Sequence, residues 1–323
     1  MQFKRCGLVP DRPFVNACLG AGLLFLIGCG QQGDSGTPGD TAPNEDNGSV
    51  TSVPAVWSTR PLESAVEDVA LAGGAASTIA VIYEDGAVQF FNLEGDRTTD
   101  IAILDAGTVA PGTYLLFGET GLTLFPGINQ SGGLIAYAHS EGLPAPVELA
   151  LPIETSGSVD ILCSRALGAD DDGDLEIAFW GAGEDTATFG TLGADGDMFM
   201  FHPKPRPTVP ASATDCAITT DGVSFNVSGS AIGTLARQST QHFVFLTPAG
   251  ALTSAKAGED ATPLAVRDGI SVKMPSPVRA MDALGQPLGG GYPGGVIVVA
   301  GETDSGHQLV FIDATNLTSV ESN

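Results

Sequence analysis

The sequence predicts an all-β protein built from short, repeated strands, and three observations predict it. Glycine supplies 43 of the 323 residues and proline another 21, against a usual glycine share of roughly 7%, and this composition favours frequent turns over long helices. Short apolar runs alternate with turns rich in Gly, Asp and Asn along most of the chain, the pattern of hairpin-connected strands. Beyond the first thirty or so residues no stretch carries an apolar period near 3.6, which argues against α/β barrels and doubly wound sheets. Glycine has no three-residue period, so a collagen-like rod is excluded, and 43% hydrophobic content can bury a core.

Taken in chain order, the first element is a leader. Lys4, Arg5 and Arg12 precede an apolar run over residues 14–27 that is too short for a comfortable membrane span and reads as a secretion signal. The run ends in Leu26-Ile27-Gly28-Cys29, which resembles the lipobox of bacterial lipoproteins; an ordinary signal with an incidental cysteine is the other reading. The resemblance implies cleavage before Cys29, a diacylglycerol on its thiol and a third acyl chain on the new amino group. At about 0.8 kcal/mol per buried CH₂, such chains anchor durably. Gly30 stands where an Asp would retain the product at the inner membrane, so the expected location is the outer membrane. Loss of residues 1–28 removes Lys4, Arg5, Arg12 and Asp11 and takes the net charge from −25 to −27.

Residues 29–54 then read as the lipidated cysteine and a flexible tether of Gly, Ser, Thr, Pro, Asp and Asn, holding the folded part roughly 25 to 30 Å from its anchor. The folded domain is expected over residues 55–323. Its clearest unit is residues 79–83, an Asp85-Gly86 turn, and residues 87–91, as in a β-hairpin. Residues 114–117 and 122–125 repeat it around Gly118 and Gly121. Further pairs are residues 175–180 with 198–202, 223–227 with 242–246, and 296–300 with 308–312. Strands this short cannot bury both faces alone, so repeated sheets must stack or pack radially. At ~40 to 50 residues per four-stranded blade the length suits a β-propeller of about six blades, with a β-sandwich pair as the competing architecture.

Charge excludes partners. A net charge of −25 with 13 basic residues offers no grip on nucleic acid or on anionic headgroups, whereas it attracts cations. Of five cysteines, Cys163 and Cys216 remain in the folded part; in an oxidising compartment they form either a disulfide or two separate buried thiols. No phosphate-binding loop, Gly-x-Ser-x-Gly elbow or His-Glu-x-x-His pair occurs. His139, His202, His242 and His307 are scattered without ligand spacing, and the glycine run over residues 289–295 reads as a loop.

One cluster carries chemistry. Asp170, Asp172 and Asp174 alternate in a tight turn around Gly173, and short acidic turns supply several of the six to eight oxygens that calcium takes. The EF-hand order is not met, because Gly173 is fourth from Asp170 and Gly181 is twelfth. The segment is similar to the FG-GAP calcium loops of integrin-type propellers; a solvated acidic turn is the alternative. Asp195-Gly196-Asp197 is a weaker copy.

The segment over residues 83–95, with Phe90-Phe91-Asn92-Leu93-Glu94-Gly95, resembles an early blade of β-propeller phytases, and residues 295–316 are similar to a late one. That resemblance implies a six-bladed, calcium-loaded fold that hydrolyses inositol phosphates. The chain departs from the family where residues 65–71 replace its acidic Trp-containing segment and where Glu84 and Asp85 replace a phosphate-binding lysine. Only Lys204 and Arg206 lie close together among the basic residues after position 28, whereas a polyanionic substrate needs its charge offset. The sequence therefore predicts an outer-membrane-anchored, non-catalytic propeller that binds a protein, glycan or ion. A calcium-dependent phosphomonoesterase is its alternative, with no catalytic residue assigned.

Overall fold

A computed structural model describes residues 51–73, 77–168, 173–227, 229–237, 240–285 and 292–318. Cys29, the expected leader and nearly all of the tether lie outside the described residues.

The strands form six successive antiparallel sheets, each starting at a central axis and working outward. Blade 1 is β2 (Val66–Ala72), β3 (Thr78–Tyr83), β4 (Ala87–Asn92) and the two-residue β5 (Ala102–Ile103). In blade 2 the inner position is broken: β6 (Ala106–Val109) and β7 (Thr113–Phe117) pair with the two halves of β8 (Thr120–Asn129), followed by β9 (Leu134–Ser140) and β10 (Val147–Ala150). Blade 3 is β11 (Ile161–Ala166), β12 (Leu175–Trp180), β13 (Thr188–Asp195) and β14 (Met198–Pro203). Blade 4 has only β15 (Asp215–Thr219) and β16 (Gly222–Asn226). Blade 5 is β17 (Ala231–Arg237), β18 (Thr240–Leu246), β19 (Leu252–Lys256) and β20 (Thr262–Arg267). Blade 6 is β21 (Val278–Leu284), β22 (Val296–Thr303), β23 (Gly306–Asp313) and, outermost, the N-terminal β1 (Thr51–Ser58). One helical turn, α1 (Thr315–Thr318), follows.

The blades close into a ring. β2 packs on β6, β11 on β8 and β15, β15 on β17, β17 on β21, and β21 back on β2. This is a six-bladed β-propeller, and the β-sandwich alternative is set aside because two stacked sheets would not return the last inner strand to the first. Apolar clusters fill five of the six seams. Phe91 and Phe311 meet between blades 1 and 6, Phe90 and Phe125 between blades 1 and 2, and Leu124 and Leu175 between blades 2 and 3. Trp180 and Ile218 meet between blades 3 and 4, and Leu246 and Ile312 between blades 5 and 6. Between blades 4 and 5 no such cluster is found among the described residues.

Three expectations are corrected. The tether ends earlier than residue 54, because Thr51–Pro54 pair in parallel register with Leu264–Arg267 and Val53 is fully buried; a polar segment becomes a strand through a partner more than two hundred residues away. Residues 175–180 and 198–202 share a sheet but are not neighbours, since β13 lies between them. Gly190 and Gly193 concealed β13, and both are needed there: a Cβ at Gly190 would come within 2.5 Å of the His202 carbonyl oxygen, and one at Gly193 within 2.3 Å of an Asp174 carboxylate oxygen. Residues 223–227 do not pair with 242–246 either; they belong to different blades. The hairpins at Gly86 and Gly118 form, each glycine at positive φ.

Cys163 on β11 and Cys216 on β15 are joined in a disulfide with a Cα–Cα distance of 5.6 Å and a sequence separation of 53. In the chain-entropy picture a loop of that length stabilises by about 4 kcal/mol. Replacing both cysteines with alanine is expected to lower the urea-unfolding free energy by about 2 to 4 kcal/mol, with the midpoint shifting by a corresponding amount.

Candidate functional site

The axis is the first place to look, because all six inner strands or their extensions line one cavity of about 170 Å³. Three carboxylates face it. Asp68 accepts N–H hydrogen bonds from Val69 at 2.8 Å and from Val109 of blade 2 at 2.9 Å. Asp282 accepts from Ala283 at 2.7 Å and from Leu71 of blade 1 at 2.7 Å. Asp215 accepts from Cys216 at 2.8 Å and from Ile232 of blade 5. Each acid therefore holds the residue after it on its own strand and one backbone amide of the next blade.

Burial pushes Asp68 and Asp215 up to about 7 and Asp282 to about 8, with the backbone amides opposing the shift and the neighbouring acids adding to it. A raised pKa in a cavity marks a candidate acid or base. Here both oxygens of Asp68 and of Asp282 are committed to amides, which makes these groups clasps between blades. Folded protein keeps these protons while unfolded chain, with ordinary aspartates, loses them near pH 4. The stabilisation is thus fully present below about pH 4 and is lost as pH rises through 7 to 8. Thermal unfolding should show Tm falling from pH 5 to pH 8, at about 1.4 kcal/mol per pH unit for each proton released. Asp282→Asn removes one of the three titrations and, because its amide nitrogen cannot accept, one of the two amide bonds; it should lower Tm at every pH and make the slope shallower by one proton's share.

The predicted acidic turn is only partly visible. Asp170 and Asp172 lie outside the described residues. Asp174 is placed, directly before β12, with its carboxylate against Gly193 of β13; the geometry of a three-carboxylate calcium loop is therefore not defined by the described residues. Among those residues no group of three His, Cys, Asp or Glu side chains converges as a metal site would require.

The two neighbouring cations separate. Lys204 donates to Glu176 at 2.7 Å and Arg165 donates to the same carboxylate at 3.1 Å. Burial pushes Glu176 up, but the two cations outweigh it and hold the group below its usual range. Arg206 is exposed and makes no ion pair among the described residues. The histidines sit on four different strands: the ring of His139 lies 2.9 Å from the Leu143 carbonyl oxygen, His202 is exposed and His242 is buried. Beside Gly86, Glu84 pairs with Arg279 at 3.0 Å and Asp85 accepts from the Ala87 amide at 3.2 Å.

Arg206 lines a larger cavity of about 490 Å³, between the loops of residues 154–159 and 181–188. Glu184 fixes its far wall, accepting from the Gly181 amide at 3.0 Å and from the Ser156 hydroxyl at 3.3 Å. Thr155, Ser158, Thr186, Asp185 and the apolar Val159 and Phe179 also line it. The cleft is mostly polar and carries one cation with no carboxylate partner among the described residues. A comparable cavity of about 420 Å³ beside blade 1 is less available, because Arg97 there is paired with Glu63 at 3.0 Å and the Gln89 amide is spent on the Thr99 carbonyl. Sequence reading passed over the cleft because its residues come from three separate loops with no motif among them.

No protein-family model matches the chain, and no curated protein matches it. Among solved structures it is similar to the SapL1 lectin in complex with alpha methyl fucoside, at 8% identity over 78% of this chain and 94% of that one, with a TM-score of 0.48. AofleA from Arthrobotrys oligospora is similar at 11% identity over 81% and 91%, with a TM-score of 0.43. The Dos1 propeller gives 9% identity over 75% and 66%, with a TM-score of 0.36. The propeller architecture rests on the strand pairing described above.

Proposed function

We propose that this chain is a non-catalytic binding propeller, held at the bacterial envelope through a lipidated Cys29, which takes a polyhydroxyl ligand of the glycan class in the cleft around Arg206. The observation that carries this reading is the cleft itself. Its volume falls within the roughly 300 to 1,000 Å³ of small-ligand sites, and its lining mixes donors (Arg206, Thr155, Ser158) with acceptors (Glu154, Asp185). Sugar hydroxyls donate and accept in the same way. The acids at the axis serve the ring. No observation favours the phosphomonoesterase reading, since Lys204 is committed to Glu176.

Calcium held by Asp170, Asp172 and Asp174 belongs to the proposal as a structural ion of blade 3. The test is glycan-array binding by the full chain, with millimolar calcium and again with a chelator. A defined set of glycans should bind, and Arg206→Ala should weaken binding on the order of tenfold, as loss of a hydrogen bond from a charged donor does. Calcium dependence would support the ion. Binding to no glycan, or turnover of an inositol phosphate, would overturn the reading. For the anchor, Cys29→Ser should move the protein from the detergent-soluble membrane fraction to the aqueous one, with loss of incorporated labelled fatty acid.

A further inference from the structure

Large apolar side chains are left bare along the outer rim of blade 6. Val56 and Trp57 of β1, the outermost strand there, are 41% and 52% exposed, and Ile270 in the loop between β20 and β21 is fully exposed. The loop stands beside β1, because Gly269 packs so closely on the Ala55 carbonyl oxygen that a Cβ would come within 2.4 Å of it. Such side chains scattered singly need no account, whereas grouped ones mark an interaction surface.

Both elements are braced. The Trp57 indole N–H donates to the Glu94 carbonyl of blade 1 at 2.6 Å, and the ring lies against Gly95, where a Cβ would come within 3.1 Å of the indole nitrogen. In the loop, Asp268 accepts from the Lys273 ammonium at 2.7 Å and from the Met274 N–H at 3.0 Å, and the Gly269 N–H donates to the Val272 carbonyl at 2.9 Å. Val272 itself is buried in the core between blades 5 and 6. The polar edge of the indole is thus satisfied inside the protein while half of its surface stays in the open. Arg60, Arg267 and Lys273 lie beside the patch, with Glu94, Asp268 and Asp304 as nearby acids, so both signs flank it in a chain whose net charge is −25. A Trp with its N–H satisfied, aliphatic side chains next to it and long cationic side chains around them are the residue types that settle at a boundary of water and lipid.

We infer that this rim docks on the zwitterionic lipid surface to which Cys29 tethers the protein, with Val56, Trp57 and Ile270 entering the headgroup boundary. The inference rests on the lipidated Cys29 of the proposed function. The occupant follows from where the chain leaves the fold. β1 begins at Thr51, six residues before Trp57, which is ~20 Å along a strand, and residues 30–50 separate it from Cys29, a linker that spans roughly 25 Å. Tethering therefore keeps the patch at high effective concentration beside the anchoring surface, where a few apolar side chains suffice. Blades 3 and 6 are three places apart in the ring of six, so docking at blade 6 turns the Arg206 cleft away from the bilayer.

The probe is the lipidated full chain reconstituted into phosphatidylcholine vesicles whose acyl chains carry bromine, a contact quencher of indole fluorescence, with unbrominated vesicles as the reference. The chain has two tryptophans, and Trp180 is buried between blades 3 and 4, so Trp57→Phe isolates the rim signal by difference. Flotation with the vesicles reads the anchor, and quenching reads the docking. Bromine should lower the Trp57 share of the emission on the order of twofold or more, as an indole within the acyl boundary requires, and leave the Trp180 share unchanged. Val56→Asp with Ile270→Asp, on exposed side chains, should abolish the quenching while flotation and the circular dichroism spectrum stay the same. Failure to float would remove the anchor and the inference with it. Flotation with unquenched Trp57 would leave the anchor standing and overturn the docking alone. A Trp57 emission change on adding glycans in place of quenching, or a dimer broken by the two aspartates, would assign the rim to a sugar or to a second copy and overturn it equally.

Discussion

Closing a ring of twisted sheets leaves a seam at every blade boundary, and near the axis the inner strands are too far apart to share a continuous ladder. In this molecule each seam has its own clasp. Asp68, Asp215 and Asp282 bridge blades 1 to 2, 4 to 5 and 6 to 1 through backbone amides. The Ser164 hydroxyl donates to the Pro111 carbonyl between blades 3 and 2, the Cys163–Cys216 disulfide joins blades 3 and 4, and Thr234 bridges to Leu284 between blades 5 and 6. The same acids that would suggest catalysis by their raised pKa values are thereby explained as structural. A buried carboxylate that accepts two amides satisfies donors that would otherwise be costly to leave unpaired.

The outer rim is closed by different means. β1 carries the N-terminus into blade 6 beside β23 and also runs parallel to β20 of blade 5, so blades 5 and 6 are joined at both their inner and outer edges. Blade 4 lies at the opposite extreme, tied at the axis and open outside. Tight closure at the axis leaves the rim free to vary, and the proposed binding cleft lies away from the axis, in loops around blade 3.

Legibility followed the range of the interaction. The hairpin of residues 79–91 was readable because its turn, its register and its apolar strands are all local, and Gly86 at φ 77° fits the turn that the sequence announced. β13 was not, because its glycines answer to the close approach of His202 and Asp174 from other strands. β1 was read as tether for the related reason that Thr51-Ser52-Val53-Pro54 becomes a strand only beside residues 264–267. Cys163 and Cys216 were visible as a pair, but their spacing left a disulfide and two separate thiols equally open. The Arg206 cleft had no signal, as it draws on loops from three parts of blade 3 and its approach.

The sequence by itself determined the fold class, the frequency of turns, the net charge of −25 and a count of about six repeating units, all of which depend on composition and on neighbours within a dozen residues. Tertiary structure decided which strand completes which blade, that the acids on β2, β15 and β21 clasp the axis, that Lys204 is spent while Arg206 is not, and that one blade stops at two strands. These are outcomes of ring closure: which amide a carboxylate meets and which edge stays bare depend on where chain segments tens to hundreds of residues apart come to rest.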